Sequence, residues 1–401
     1  MWKQVGEREV GKLKPHSFAN RIKSNRISSL QLSNHKEIVS AHRGAVNSLQ
    51  VDLTDGRYLL AGASDGSAAV YDIQCAARYE GGGLVAKHES IFVVDKQHEQ
   101  GHKYAVSSAV WYPIDTGLFV TGSFDHYVNV WDTNTTQVVM NFKMPGKVYR
   151  TAMSSVAKSH MLIATGTEDV QVRLCDIASG AFTHTLSGHR GKMMVSGSTS
   201  NSIPGSQSSF PKARMLHKKA AYGNGTKHTS TTHKNKGSTS QRLHPGMLSS
   251  HDRATAHYGA VIGLKVCEDS MYLLSAGSDS RLRLWDIESG CNTLVNFEAT
   301  RLQTSKGIQL AVTQGSSLVF VPCMSAVKAF DVWSGRTFLT FRGHYENVNC
   351  CWFSSQDQEL YTGSNDRQIL VWSPSRSVHA EVDERGGEAL MSTSDQDNWS
   401  D

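Results

Sequence analysis

Three sets of residues at one common spacing carry the groups that could do acid–base or metal chemistry: His102, Thr121, Asp125 and Trp131; His257, Ser275, Asp279 and Trp285; His344, Thr362, Asp366 and Trp372. Histidine, hydroxyl and carboxylate are the parts of a nucleophilic triad, and His with Asp can ligate a metal. Neither reading suits a set that recurs along the chain, because a catalytic or metal centre is assembled once from several parts of a fold. A buried carboxylate at a turn needs donors, and an imidazole, an alcohol and an indole can supply a connected run of them. The sets are therefore read as structural tetrads: Asp holds His, and the bond passes through the hydroxyl to Trp. Weaker copies exist. His42, Asp65, Tyr71 and Asp72 have Ala61 where the hydroxyl belongs, Thr165, Asp169, Cys175 and Asp176 lack the indole, and a further copy keeps only Phe330-Asp331.

The elements that must position these groups follow from the flanking residues. In Ala276 to Asp286, a Gly-Ser-Asp-Ser turn precedes the alternation Arg281-Leu282-Arg283-Leu284, which reads as a hairpin between two strands. A unit of about 40 residues with Gly-His ahead and Trp-Asp behind is the signature of a four-stranded propeller blade. On these residues the chain resembles the WD-repeat β-propellers. The expectation is an all-β fold with six recognisable blades of a seven-bladed pattern.

Length and composition agree with a scaffold. A propeller with tails accounts for all 401 residues, so a separate catalytic domain has no room. The net charge of +5 is modest. Seven cysteines without a C-x-x-C pair argue against a zinc site and a disulfide framework and fit a reducing compartment. No secretory segment is read at the start and no apolar run is long enough to span a membrane, so an intracellular protein without membrane contact is expected. No phosphate loop, H-E-x-x-H or G-x-S-x-G motif occurs; the chain is read as non-enzymatic, with no cofactor and no metal.

In order, residues 1–35 form a basic segment in which Ser17 is expected to cap a short helix with Phe18 and Ile22 on one face. Residues 36–189 carry the first part of the propeller, and the strand Lys36 to Ala41 is expected to join the last blade and close the ring. Gly188-His189 announces a fourth repeat, but Pro211-Lys212-Ala213 stands where its Asp turn should be. Residues 190–253 are rich in Ser, Thr, Gly, Lys and His and read as a disordered basic insert in place of a blade. Phe182 to Leu186 is then the outer strand of a blade without inner strands, either paired with the next repeat or left at an open edge. Residues 254–375 hold the rest of the propeller, with an intact repeat from His257, and 376–401 form an acidic tail. The insert could give nucleic acid only non-specific, salt-sensitive contact.

Longer stretches point to a narrower family. WYPIDTGLFVTGSFD at 111–125, KGIQLAVTQ from 306, RGHYENVNCCWFSSQDQELYTGSNDRQILVW at 342–372, KLKPHSFANRI near the start and the acidic ending with Trp399 resemble the Cockayne syndrome group A family, especially its plant form. The resemblance implies a nuclear substrate receptor of a cullin-RING ubiquitin ligase in transcription-coupled nucleotide excision repair. It implies as partners the ligase's propeller adaptor, the Cockayne syndrome group B ATPase and RNA polymerase II, with Leu13, Phe18, Arg21 and Ile22 of the N-terminal helix docking on the adaptor. One departure stands out. The family's Trp-Asp-x-Arg sequence, whose Arg pairs with the adaptor, belongs to the fourth repeat, and the matching places here hold Gln74, Asn134, Ala178, Glu288, Trp333 and Ser375. A chain lacking that repeat, whether by splicing or an incorrect gene structure, should bind the adaptor more weakly.

Overall fold

In the computed structural model the described residues are 2–82, 84–155, 160–169, 171–187, 256–302 and 306–375, with side chains from residue 5. The insert at 190–253, the Gly188-His189 pair and the tail at 376–401 lie outside them.

The fold is an all-β propeller. Six sheets occur among the described residues, five with at least four strands and one with three. Sheet I comprises Val46–Val51, Tyr58–Ala63, Ala68–Asp72 and Ser90–Val94; sheet II Val106–Trp111, Leu118–Ser123, Tyr127–Asp132 and Val138–Lys143; sheet III Val148–Met153, Leu162–Thr167, Gln171–Asp176 and Ala181–Ser187. Sheet IV has Val261–Val266, Tyr272–Gly277 and Leu282–Asp286; sheet V Ala311–Val312, Leu318–Cys323, Ala326–Asp331 and Thr337–Arg342. Sheet VI pairs Val348–Ser354, Glu359–Ser364 and Ile369–Pro374 with Leu30–Leu32 and Lys36–Ile38 from the chain's beginning. A hairpin of Arg78–Glu80 and Val85–His88 extends that sheet outward, joined in parallel through Lys36↔Ala86 and Ile38↔His88.

Two expectations about strands need correcting. Ala181–Ser187, which contains Phe182 to Leu186, pairs with Gln171–Asp176 and completes sheet III. It neither joins the next repeat nor lacks a partner, because it follows its neighbour through the tight turn at Gly180 (φ 70°). The repeat from His257 keeps its tetrad, but its sheet has three strands: after the isolated bridge Trp285↔Asn292 the chain turns away at Leu294, with φ of 62°.

Alternating burial explains how the sheets stack. Side chains on the two faces of each strand enter two different clusters, one with each neighbouring sheet. Leu60, Val70 and Val106 with Trp111, Phe119 and Trp131 join sheets I and II; Val130, Phe142, Ile163 and Cys175 join II and III. Ile262, Leu274 and Leu284 with Val319 and Phe330 join IV and V; Phe320 and Phe341 with Phe353 and Trp372 join V and VI; Tyr361 and Cys350 with Val46 and Leu49 join VI and I. No cluster among the described residues joins III and IV. Close approach at the inner strands uses glycine: a Cβ on Gly122 would meet Val148 Cγ1 at 2.7 Å.

Two helices precede the first sheet strand: α1, Trp2–Glu9, and α2, Pro15–Ser28. Ser17 is not the cap. Pro15 opens α2 after Lys14, whose side chain makes no capping bond, because the fixed φ of proline and its missing N–H suit a first turn.

Candidate functional site

In three sheets a His, a hydroxyl, an Asp and a Trp are linked by hydrogen bonds. In sheet II the His102 Nδ1–H donates to Asp125 Oδ2 (2.8 Å), the Thr121 hydroxyl donates to His102 Nε2 (2.7 Å), and the Trp131 indole N–H donates to Thr121 Oγ1 (2.7 Å). The proton directions follow from the ends: an ionised Asp can only accept, an indole can only donate. Sheet IV repeats the chain through His257–Asp279 (3.0 Å), His257–Ser275 (2.7 Å) and Trp285–Ser275 (2.8 Å). Sheet VI repeats it through His344–Asp366 (2.8 Å), His344–Thr362 (2.8 Å) and Trp372–Thr362 (3.0 Å). Each Asp also accepts the backbone N–H two residues on, and the residue between sits in left-handed conformation: His126 at φ 75°, Ser280 at 57°, Arg367 at 69°.

The weaker copies show what each missing group costs. With Ala61 in place of the hydroxyl, His42 Nδ1 bonds instead to Ser67 Oγ (2.6 Å), which donates to Asp65 (2.5 Å), and His42 Nε2 is left buried without a partner. Ser67 was not picked out from the sequence, although it stands two residues after the turn Asp. In sheet III only the contact of Thr165 with Cys175 Sγ (3.8 Å) survives, and Asp169 turns to Arg173 at 2.6 Å.

Burial acts to raise the Asp125 and Asp279 carboxyls, but their histidines and backbone N–H groups outweigh it and hold both below the usual range. Burial lowers His344 despite Asp366, and lowers His42 to about 4. For His344 and His42, burial thus favours the neutral ring. No group of three or more His, Cys, Asp or Glu able to hold a metal occurs among the described residues.

What the fold offers is therefore surface. Helix α2 sits on the loops between first and second strands, the rim opposite the Asp turns. Lys23 Nζ donates to Gln314 Oε1 (2.7 Å), Arg26 to the Asp357 carbonyl (3.0 Å), and Ile27 and Leu30 enter the cluster between sheets V and VI. The four predicted docking residues are placed differently from one another. Leu13 is buried, Phe18 lies half-buried beneath the Arg8 guanidinium (5.4 Å), Ile22 is half-buried, and Arg21 is exposed 4.0 Å from Glu7. Leu13 lies in the connection between the two helices, its N–H bonded to the Glu7 carbonyl, and α1 itself was not anticipated from the sequence because it lacks an acidic first turn.

Among the described residues, a second surface lies on the sides of sheets III and IV that turn away from sheets II and V. Ile163 and Cys175 point to sheet II, so Leu162, Ala164 and Leu174 point the other way, and all three are half-buried. Leu274 and Leu284 point to sheet V, so Leu273 and Trp285 point back toward sheet III, and both are half-buried. By contrast Trp131 and Trp372, in the same tetrad place, are 1% and 4% exposed.

Comparison with known proteins agrees with the repeat reading. The family described as WD domain, G-beta repeat, matches residues 27–72, 95–132, 250–286 and 335–373. A WD repeat-containing protein of Arabidopsis thaliana, ATCSA-1, is 58% identical and is aligned over the whole of both chains. The Radiation-sensitive protein 28 of Saccharomyces cerevisiae is 36% identical over 19% of this chain and 15% of its own. A WD repeat-containing protein of Schizosaccharomyces pombe, C126.01c, is 31% identical over 31% of this chain and 35% of its own. The alignment with the Arabidopsis protein runs over 456 positions against 401 residues here, so at least 456 less 401, or 55, positions stand opposite a gap in this chain. That is the scale of one repeat.

Proposed function

This chain belongs to the WD-repeat family, as a full-length relative of the Arabidopsis protein, and on that premise we propose that it is a shortened substrate receptor of a nuclear cullin-RING ubiquitin ligase acting in transcription-coupled nucleotide excision repair. As a WD-repeat propeller it is a protein-interaction scaffold, with no sign of catalytic activity. The observation that carries the narrower reading is the 58% identity to ATCSA-1 along the entire chain, together with the Cockayne syndrome group A-like stretches. The proposed mechanism is proximity: the propeller holds RNA polymerase II and the Cockayne syndrome group B ATPase near the ligase, raising effective concentration without chemistry of its own.

The proposed adaptor contact is the α1–α2 hairpin, whose outward side chains include Arg21 and whose base is tied to sheets V and VI. We further propose six blades in place of seven, with the fourth repeat absent. The facing half-buried surfaces of sheets III and IV, the absence of a shared cluster and the alignment gap support this. Without that repeat and its Arg, the adaptor is held by the hairpin alone. A pull-down with purified adaptor tests this: capture by this chain should be weaker than by one with the fourth repeat inserted between sheets III and IV, and abolished by deleting residues 1–28. Equal capture by all three would sink it.

A further inference from the structure

Sheet IV stops one strand short, and the backbone it leaves open is buried. The Gly277 N–H donates to the Arg281 carbonyl (3.0 Å), so by the alternation of an antiparallel ladder the N–H and C=O groups of Leu282 and Leu284 point the other way, outward. The Leu284 carbonyl accepts the Thr293 N–H (3.0 Å). Among the described residues the Leu284 N–H and both groups of Leu282 have no partner, although these residues are 0% and 4% exposed. Buried peptide groups left in this way are unfavourable, and a further strand would satisfy them.

The other sheets show what that strand carries. The residue three places after each turn Asp stands opposite an apolar side chain of the outer strand: Val128↔Phe142, Val172↔Leu186, Ala68↔Val94 and Ile369↔Ile38, with Val327↔Phe341 in sheet V. Leu282 is the equivalent residue of sheet IV. The chain's own continuation does not suit the place. Sheets I, II, III and V bulge by one residue at the start of this pairing. From Trp285↔Asn292, the same bulge would set Leu294 opposite Leu284 and Asn296 opposite Leu282. An amide there would be buried among apolar neighbours. The chain leaves instead at Leu294, and Val295 and Phe297 pack on the cluster between sheets IV and V.

Between the open edge and the departing segment lies a cavity of about 650 Å³, walled by residues 279–283 on one side and 294–300 on the other. Of the charged side chains lining it, Arg283 pairs with Asp279 (3.6 Å) and Glu298 accepts the Thr337 hydroxyl (2.7 Å). Arg281 is exposed and forms no ion pair among the described residues.

We propose that the outer edge of sheet IV is a strand-addition site for a partner protein. An extended segment enters the cavity, pairs antiparallel with Leu282, Arg283 and Leu284, and sets an apolar side chain opposite Leu282. The next residue along that segment is an acid, opposite Arg281.

The probe is the peptide VVMNFE, the outer strand of sheet II from Val138 to Lys143 with Lys143→Glu, labelled with fluorescein and titrated by anisotropy against the full-length chain. A Kd below about 100 μM is expected. Phe142→Asn in the peptide should weaken binding about tenfold or more. Restoring Lys143 should weaken it about fivefold. Arg281→Glu in the protein should reverse that second preference, which a merely unfolded variant could not do. Without peptide, the Leu282 amide should exchange hydrogen faster than that of Val128, which has its outer strand, and peptide should slow it about tenfold. No binding up to 1 mM, about tenfold above that Kd, would overturn the proposal. So would an unchanged preference in Arg281→Glu, or a Leu282 amide as slow as that of Val128 without peptide. Tighter peptide binding after deletion of residues 376–401, or after dilution of a dimer, would also overturn it, giving the edge to the chain's own tail or to a second copy.

Discussion

Lys36 and Glu359, 323 residues apart, form a 2.8 Å ion pair in which Lys36 also donates to the Tyr361 hydroxyl (3.0 Å) and Tyr361 donates to Glu359 (2.7 Å). Both charged side chains are about one-tenth exposed. The triangle fastens the strand Lys36–Ile38 onto sheet VI, where only Ile38↔Ile369 is paired in the backbone ladder. Removing one member leaves the other charge buried and alone, so Lys36→Ala should cost about 3 kcal/mol. Lys36→Met with Glu359→Leu should cost clearly less, and urea unfolding of the single and double variants measures the difference.

The tetrads predict an asymmetry between sheets. Thr121→Val removes the hydroxyl that serves both His102 and Trp131 and strands two buried groups, at a cost of about 2 kcal/mol. Ala61→Ser does the reverse in sheet I, placing a hydroxyl at the register position equivalent to Thr121 beside the unpartnered His42 Nε2. A gain of about 1 kcal/mol is expected. Thermal melts of both variants check it; a destabilised Ala61→Ser would show that the Ser67 detour already suffices.

The low pKa of His42 gives a pH dependence with a definite sign. In the unfolded chain His42 takes up a proton near the ordinary 6.5, while in the fold it does so only near 4. The unfolded state therefore binds more protons between those values, and stability that is complete above pH 6.5 falls as pH drops toward 4. The shift corresponds to a loss on the order of 3 kcal/mol, and His344 adds in the same direction. Urea midpoints from pH 7.5 to 4.5 should decline for wild type and decline less for His42→Gln.

The seam between sheets III and IV predicts unequal costs for equal truncations. Leu284 is fully buried in the cluster between sheets IV and V, and Leu284→Ala should cost about 3 kcal/mol. Leu174, half-buried on the seam face of sheet III, should cost less than about 1 kcal/mol when cut to Ala. Matched costs would mean that something in the chain packs against Leu174 as closely as sheet V packs against Leu284.

The parts of the fold legible in the sequence were those in which one residue type has one physical task. Asp125, Asp279 and Asp366 fix turns, and their His, hydroxyl and Trp partners lie at fixed distances along the same chain, so both the sites and the hairpins could be read. The arrangements that escaped depend on partners far away in sequence. The hairpin of Arg78–Glu80 and Val85–His88 has strands too short to show alternation, and it finds an edge only because Lys36–Ile38 is already seated on sheet VI. The three-stranded state of sheet IV was hidden because Asn292 to Glu298 offers no breaker; the chain leaves the ladder at Leu294 and runs to sheet V, where Glu298 N–H bonds to the Gly335 carbonyl.

Sheet VI combines strands from residue 30 onward with strands that finish at Pro374. On the ribosome, the opening segment must therefore wait through the synthesis of every other sheet before its own bed exists. Nascent chains stalled ahead of Ile369 should keep residues 30–38 open to chaperones and proteases, and protection should appear late and abruptly, when the final strand emerges.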